Sequence, residues 1–226
     1  MKQLSNLSAR LVAHLGILVL GAGLANAQNT RFYVQGDLGG NVTGDLDLKE
    51  FFGPVAPGSK VTLDPGLRVG VRGGYQVCDY FAPEVELGFY GNRIDSITGA
   101  TRVHDASFAN VPFLLNARLQ YPNRSPLTPY IGAGVGFAES LLSVDEIVIN
   151  DIHVHGDNSD TVFAYQAFAG LRFTLNPQMG ISLEYHYFVA DSPKWQSDFS
   201  FGTPSDTMSF GRSYTHAASI AFDFRF

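Results

Sequence analysis

The feature that most constrains this chain is an alternation of apolar and polar residues with a period of two. It is clearest in residues 213–226, where one set of alternate positions is Tyr214, His216, Ala218, Ile220, Phe222, Phe224 and Phe226. The other set is small or charged and includes Asp223 and Arg225. Because successive side chains of a β-strand point to opposite faces, the segment is predicted to be a strand with one apolar face.

The same alternation recurs in seven earlier segments. They are residues 32–42, 63–75, 81–89, 107–121, 129–137, 161–173 and 181–189. Aromatic residues lie near the ends of the apolar faces, which is typical of strands with lipid outside and a polar lumen inside. Those assigned to such an aromatic girdle are Tyr33, Tyr75, Phe89, Tyr121, Phe173, Tyr187, Tyr214 and Phe226.

The predicted connections alternate between long and short. Long polar connections are expected at 41–59, 91–105, 139–160 and 191–212. The third contains apolar residues such as Val144 and Ile147, so its flanks are expected to extend the hairpin beyond the membrane, with Gly156-Asp157-Asn158 as the tip. Short turns are expected at 76–79, 122–126 and 176–178. An even strand count with short turns at one end and long loops at the other predicts an all-β fold, an eight-stranded antiparallel up-and-down transmembrane β-barrel. Closure removes the unpaired strand edges that lipid does not tolerate.

The first residues have the pattern of an export signal. Lys2 and Arg10 precede the apolar run 11–24, and the small-residue motif Ala25-Asn26-Ala27 follows it. The run is short for a transmembrane helix, so we predict a cleaved signal peptide at residues 1–27 and a barrel domain at residues 28–226. An uncleaved anchor is the alternative.

Charge and cysteine content exclude some classes of partner and stabilisation. The whole chain has a formal charge of −6, from 15 Lys and Arg and 21 Asp and Glu, and removal of Lys2 and Arg10 leaves 13 − 21 = −8. An acidic exported protein has no electrostatic reason to bind nucleic acid. The single cysteine, Cys78, cannot form an internal disulfide. We expect a monomer without a cofactor.

Several segments resemble the small outer-membrane β-barrel proteins, the superfamily of the OmpA transmembrane domain and the opacity-type, porin-family adhesins. The matching residues are 70–75 (GVRGGY), 111–116 (VPFLLN), 129–136 (PYIGAGVG) and 222–226 (FDFRF). The resemblance implies a closed barrel with a plugged polar interior in the bacterial outer membrane, surrounded by outer-membrane lipid. Phe222, Phe224 and Phe226 resemble the C-terminal signal read by the barrel assembly machinery.

Inward-facing charges are the main candidate site. They are Arg68, Arg72, Glu84, Glu86, Arg118, Arg172, Glu184, Asp223 and Arg225. Eight strands leave a lumen that side chains fill, and buried ions must pair, so a static salt-bridge plug is the favoured interpretation. An ion path is the alternative. Gly132, Gly134 and Gly136 are expected to leave room for large charged side chains from across the lumen.

Three histidines raise other possibilities. His153 and His155 share one face of an extended segment and could bind a metal, although a solvated loop is the favoured interpretation. Ser182 and His186 invite comparison with outer-membrane lipid A deacylases, but they alternate toward the lumen and not toward lipid. No catalytic, cofactor-binding or metal-binding residue is therefore assigned.

The sequence predicts a non-enzymatic integral outer-membrane protein with an envelope-structural role and surface loops for interaction. A narrow ion or small-solute channel of porin type is the alternative, and a lipid-modifying enzyme is the third possibility. The ligand of the loops is left open.

Overall fold

A computed structural model describes residues 31–51, 54–149, 152–196 and 207–226. The predicted signal peptide lies outside these ranges, so the division at residues 27 and 28 stays a prediction. Over the described ranges, no helix is long and apolar enough to cross a bilayer.

The structure contains twelve β-strands. They are β1 (Phe32–Thr43), β2 (Leu46–Phe51), β3 (Lys60–Leu63), β4 (Gly66–Tyr75), β5 (Phe81–Ile97), β6 (Ala100–Gln120), β7 (Leu127–Ile149), β8 (Ile152–Thr174), β9 (Met179–Ala190), β10 (Lys194–Gln196), β11 (Thr207–Phe210) and β12 (Ser213–Arg225).

Eight of these strands close into an antiparallel barrel. The order around the ring is β5, β4, β1, β12, β9, β8, β7 and β6, and the β5–β6 ladder completes the circle. The predicted pairing of the last strand with the first is confirmed, since Gly36 lies opposite Phe222 and Tyr33 opposite Arg225. The fold prediction is therefore confirmed at the level of strand number, direction and closure.

The predicted alternation positions the side chains of the barrel wall. Outward residues are strongly exposed, with Leu183 and Ile220 each 65% accessible, whereas inward Gln35 and Arg72 are each 2% accessible. Such an arrangement is stable only when the surrounding solvent is hydrocarbon, because exposed apolar surface of this extent is unfavourable in water.

Short turns join the strands at one end, as predicted. They comprise residues 76–80, 121–126 and 175–178. Asn176 organises the last of them, because its side-chain oxygen accepts hydrogen bonds from the backbone nitrogens of Gln178 and Met179.

At the other end, strands occupy large parts of the predicted loops in the described residues. The prediction of a loop at 91–105 is wrong, because β5 and β6 extend through these residues and meet at a turn where Gly99 has φ 88°. β7 and β8 extend to Ile149 and Ile152, as expected for the flanks of the third connection, but the predicted tip at Gly156 lies within β8. Leu63 belongs to β3 and not to the strand that follows it. Polar composition suggested loops because these strands turn their polar faces to water.

The short strands complete a second wall above the barrel. β3 pairs with β5, β2 pairs with β3 and β11, and β11 pairs with β10. β10 lies beside β8, where the backbone nitrogen of Lys194 donates to Asp160 Oδ2 at 2.7 Å. We call these four strands and the adjoining outer parts of β5–β8 the cap.

The cap has an apolar interior. Its buried residues are Leu46, Leu48, Val61, Leu63, Ile94, Ile97, Ala106, Phe108, Leu142, Val144, Ile147, Trp195, Met208 and Phe210. Phe210 contacts Trp195 edge-on, with ring centroids 4.9 Å apart. The wall thus reverses its polarity between barrel and cap, because the solvent outside changes from lipid to water.

Candidate functional site

The lumen of the barrel holds a buried network of ions centred on Arg72. The guanidinium donates to Glu184, and its Nη1 and Nε lie 3.6 Å and 3.5 Å from carboxylate oxygens of Glu84 and Glu86. Arg72 and Glu86 are opposite each other in the β4–β5 ladder, so the contact between them follows from the pairing of two strands that are adjacent in sequence. Glu184 comes from β9 on another part of the ring, so the network spans the lumen.

Two further arginines extend the network. Arg68 donates from Nε and Nη2 to Asp37 Oδ1, at 3.1 Å and 2.7 Å, and from Nη2 to Glu86 Oε1 at 2.9 Å. Arg118 Nη1 lies 3.5 Å from Glu84 Oε1. Asp37 was not among the predicted network residues, although its inward position in the alternation of β1 could have identified it.

The remaining predicted charges form a separate layer near the short turns. Arg172 donates from Nε and Nη2 to the two oxygens of Asp223, each at 2.8 Å. Arg225 Nε lies 4.0 Å from Asp223 Oδ2. The structure therefore divides the nine predicted residues into two groups, six in the network around Arg72 and three in the layer around Asp223. Their function stays a prediction.

Aromatic rings opposite glycines carry hydroxyl groups into the network. Tyr33 lies across from Gly74 and Tyr130 across from Gly170, and in both pairs a Cβ on the glycine would collide with the ring. Tyr33 donates to Glu84, and Tyr130 donates to Glu184. Placing Tyr33 in the lipid-facing girdle is thus wrong, because its position in the register turns it inward, where it is 3% exposed.

The glycine row of β7 has a different function from the predicted one. The space above Gly132 is taken by the ring of Phe168, its cross-strand partner, and the space above Gly134 by the side chain of Asn116. The prediction of charged side chains from across the lumen is therefore wrong. Close neighbours on adjacent strands fill the gap because a cross-strand pair is nearer than the opposite wall.

Aromatic faces cover the guanidinium groups. The Cζ atom of Arg118 lies 3.7 Å from the ring centroid of Tyr130, and that of Arg72 lies 4.7 Å from the centroid of Phe168. Such cation–π contacts stabilise an arginine that has left water. Ions and rings therefore pack as one layer.

Amide side chains supply further hydrogen bonds to two of the carboxylates. Gln35 Nε2 donates to Glu184 Oε1 at 2.5 Å, while Asn116 and Gln166 donate to Glu86 Oε2 at 2.8 Å and 2.5 Å. These residues are not among the predicted site residues, because alternation turns them inward but their lack of charge gives no sign of an ionic partner.

An apolar layer separates the network from the cap. It consists of Tyr90, Leu114, Ala138, Val162, Ala164, Phe188, Ala190 and Ala217. Tyr90 and Phe188 stack with centroids 4.6 Å apart. From the short turns outward, the interior contains the Arg172 pair, the network, this apolar layer, a set of buried hydrogen-bonded polar residues that includes Thr43, Asn92, Asn110 and Ser140, and the apolar core of the cap.

The arrangement around His186 does not match a catalytic triad. Its Nε2 lies 3.0 Å from Glu184 Oε2 and 3.5 Å from Ser219 Oγ, so one nitrogen faces both the acid and the hydroxyl. A triad needs the serine and the acid on opposite ring nitrogens. Ser182 is buried and inward as predicted, which places it away from lipid.

A metal at the same position would compete with the arginines. Asp37, Glu184 and His186 offer one ligand atom each within 4.8 Å. Both carboxylates already accept from Arg68 or Arg72, so the negative charge that would attract a dication is compensated. The side chains of His153 and His155, the other candidate ligands, lie outside the described residues.

Comparison with known proteins gives the family. Residues 12–226 match the family described as "Outer membrane protein beta-barrel domain". The chain belongs to this outer-membrane β-barrel family. It is therefore a transmembrane protein of the bacterial outer membrane, which confirms the resemblance and the predicted location. In such barrels the short turns are periplasmic and the long connections extracellular, so the cap lies outside the cell.

Solved structures support the same fold at low identity. OprG of Pseudomonas aeruginosa is 14% identical, with a TM-score of 0.55 over 86% of this chain and 96% of that one. Neisserial surface protein A is also 14% identical, with a TM-score of 0.53 over 86% and 97%. The Escherichia coli outer membrane protease OmpT is 8% identical, with a TM-score of 0.51 over 87% and 97%. No curated protein sequence matches the chain.

Proposed function

We propose that this outer-membrane protein is non-enzymatic and that its filled barrel anchors a rigid extracellular cap, with envelope-structural and surface-interaction roles. The observation that carries the proposal is the filling of the interior at each level. Five arginines face five carboxylates within hydrogen-bonding or ion-pairing reach, and Arg68, Arg72 and Glu86 are at most 2% exposed. A neutral, desolvated plug offers an ion no continuous water path.

The cap supplies the surface for interaction. The connecting regions at residues 44–65, 92–106, 139–161 and 191–212 hold 15 Asp and Glu against 6 Lys and Arg, a formal charge of 6 − 15 = −9. Within the described residues, the apolar core of the cap supports the strands that carry many of these charges. A basic protein surface is the class of partner that this charge favours.

Planar-bilayer recording tests the plugged barrel against the channel alternative. We expect no sustained single-channel openings from the wild-type protein in neutral salt. As a positive control, the double variant Arg72→Ala/Glu184→Ala removes the centre of the network and is expected to open a measurable path. Reproducible openings of the wild type would contradict the proposal.

The non-enzymatic part rests on the inward position of Ser182 and His186. Lipid A extracted from cells that express the protein is expected to keep its mass. A loss of acyl chains that depends on His186 would instead support the lipid-modifying alternative.

Export and assembly complete the proposal. Residues 1–27 act as a cleaved signal peptide, and Phe222, Phe224 and Phe226 form the assembly signal for the barrel assembly machinery. N-terminal sequencing of the membrane-inserted protein is expected to begin at Gln28. A start within residues 1–27 would contradict the predicted cleavage.

A further inference from the structure

An ionisable side chain lies on the lipid-facing wall. His216 points outward from β12, in line with Tyr214 on one side and Ile220 on the other, and it is exposed. Ionisable residues that contact lipid are costly, and in membrane proteins they mark functional sites by default. The lumen network and the cap do not use this histidine.

Two tyrosines of β9 accompany His216. The hydroxyl of Tyr185 lies 2.6 Å from His216 Nδ1, and the ring of Tyr187, its cross-strand partner, lies 5.1 Å away between centroids. When Tyr185 donates to Nδ1, the imidazole proton is on Nε2. Among the described residues, no protein acceptor for Nε2 is found. A donor left unpaired beside lipid is unfavourable, so an acceptor supplied from outside the protein stabilises it.

His216 lies near the outer end of β12, which begins at Ser213. Tyr214, two residues nearer the cap, is 43% exposed on the same face. Arg212 follows outside the strand, where hydrogen bonds to Asp191 and Tyr214 raise the pKa of its guanidinium. Successive outward residues are about 6.8 Å apart along a strand, and barrel strands are tilted, so the depth of His216 below Arg212 is less than the roughly 14 Å of strand between them.

A shallow patch lies directly below the histidine. Ala218 of β12 and Gly40 of β1 are cross-strand partners on the outward face, and both are small. The exposed side chains of Leu38 and Ile220 border the patch on its inner side.

We propose that His216, Tyr185 and Tyr187 bind the phosphate group of an outer-leaflet lipid. His216 Nε2–H donates to a phosphate oxygen, Tyr185 orients the imidazole through Nδ1, and the Ala218–Gly40 patch takes an acyl chain. Phosphate is favoured over a neutral headgroup because an ionised acceptor forms the stronger hydrogen bond. The nearby charge of Arg212 is compensated by Asp191, whose Oδ1 lies 3.0 Å from Arg212 Nη2. The preference for phosphate therefore rests on the His216 Nε2–H donor and not on net positive charge.

Native mass spectrometry of the full-length mature protein in detergent tests the site. The probe is bis-phosphorylated lipid A, and the comparison is the same lipid A after enzymatic removal of both phosphates. Wild-type protein is expected to retain the phosphorylated form preferentially. His216→Ala is expected to weaken this retention about tenfold, the size of one charge-assisted hydrogen bond. Leu183→Ala, a lipid-facing change on the adjacent strand, is the matched control and is expected to retain it.

A second measurement separates binding from folding. Tyr185→Phe keeps the ring and removes only the hydroxyl, so it is expected to weaken retention while heat-modifiable gel migration stays that of the wild type. The ¹⁵N resonance of His216 Nε2 is expected to shift on addition of phosphorylated lipid A. Equal retention of the dephosphorylated lipid, or unchanged retention by His216→Ala, would overturn the proposal. Neither outcome bears on the plugged barrel or on the cap.

Discussion

At the scale of single residues, the energetics depend on which carboxylates share an arginine. Arg72 contacts three glutamates in a site closed to water, so its removal leaves uncompensated buried charge. We expect Arg72→Met to lower the free energy of unfolding by about 3–5 kcal/mol. Denaturant titration in detergent micelles, followed by circular dichroism, measures the change. Arg124→Met, at an exposed turn, is the control and should leave stability unchanged.

Neutralising a second partner should restore part of the loss. In Arg72→Met/Glu184→Gln, one carboxylate charge goes with the arginine, so we expect the double variant to be more stable than Arg72→Met alone. A double variant as unstable as the sum of the two single changes would show that the residues act independently.

Glycines opposite aromatic rings give a second residue-scale prediction. A side chain at Gly170 would displace the Tyr130 ring and break its hydrogen bond to Glu184. Loss of a hydrogen bond to a charged group costs about 1.5–3 kcal/mol, so we expect Gly170→Ala and Tyr130→Phe each to lose at least this much. Their double variant should lose less than the sum. Gly36→Ala, where nothing lies within 4 Å, is the matched control.

At the scale of the element, the cap and the barrel meet different solvents and should respond separately to mutation. Trp195 is 2% exposed and packs against Phe210 in the apolar core of the cap. We expect Trp195→Ala to cost the cap about 3–5 kcal/mol, because the cavity cannot collapse fully. External protease on whole cells should then cut the cap, while the barrel stays protected.

The matched control for the cap is Phe137→Ala. Phe137 is also aromatic, but it is 60% exposed on the lipid-facing wall. Its removal should leave protease resistance of the cap unchanged. Equal sensitivity of the two variants would contradict separate packing of cap and barrel.

At the scale of the whole molecule, closure depends on the pairing of β12 with both β1 and β9. The backbone N–H of Phe226 donates a hydrogen bond to the backbone oxygen of Phe32 at 3.0 Å, which joins the end of β12 to β1. We expect deletion of Phe226 to reduce the fraction of protein that migrates as a compact, heat-modifiable barrel. Phe173→Ala, which removes an aromatic from the same lipid-facing surface, should assemble normally; if it failed equally, a specific assembly signal would be excluded.

The sequence predicts the inward residues of the barrel better than it predicts their contacts. Alternation identifies inward residues such as Arg68 and Glu184, and it also turns Gln35 and Asp37 inward, but it does not show which inward residues join the network. Arg72 and Glu184 are 112 positions apart, and no local pattern pairs them. Tyr33 was assigned to the wrong face because an aromatic near a strand end suits both the lipid boundary and the lumen.

The sequence by itself determined the strand count, the closed ring and the lipid-facing surface, because a period of two persists wherever one face meets hydrocarbon. It also located the short turns, two of which contain Asn and Pro, residues that restrict the backbone locally. Only the tertiary structure decided the partners inside the lumen and the existence of the cap. Which charged side chains meet in the lumen depends on the register between successive strands around the barrel, because this register sets the height of each side chain. The cap strands alternate less regularly than the barrel strands, with register shifts in the β11–β2, β3–β5, β6–β7 and β7–β8 pairings. In water their polar face is outside, so their composition resembles that of loops.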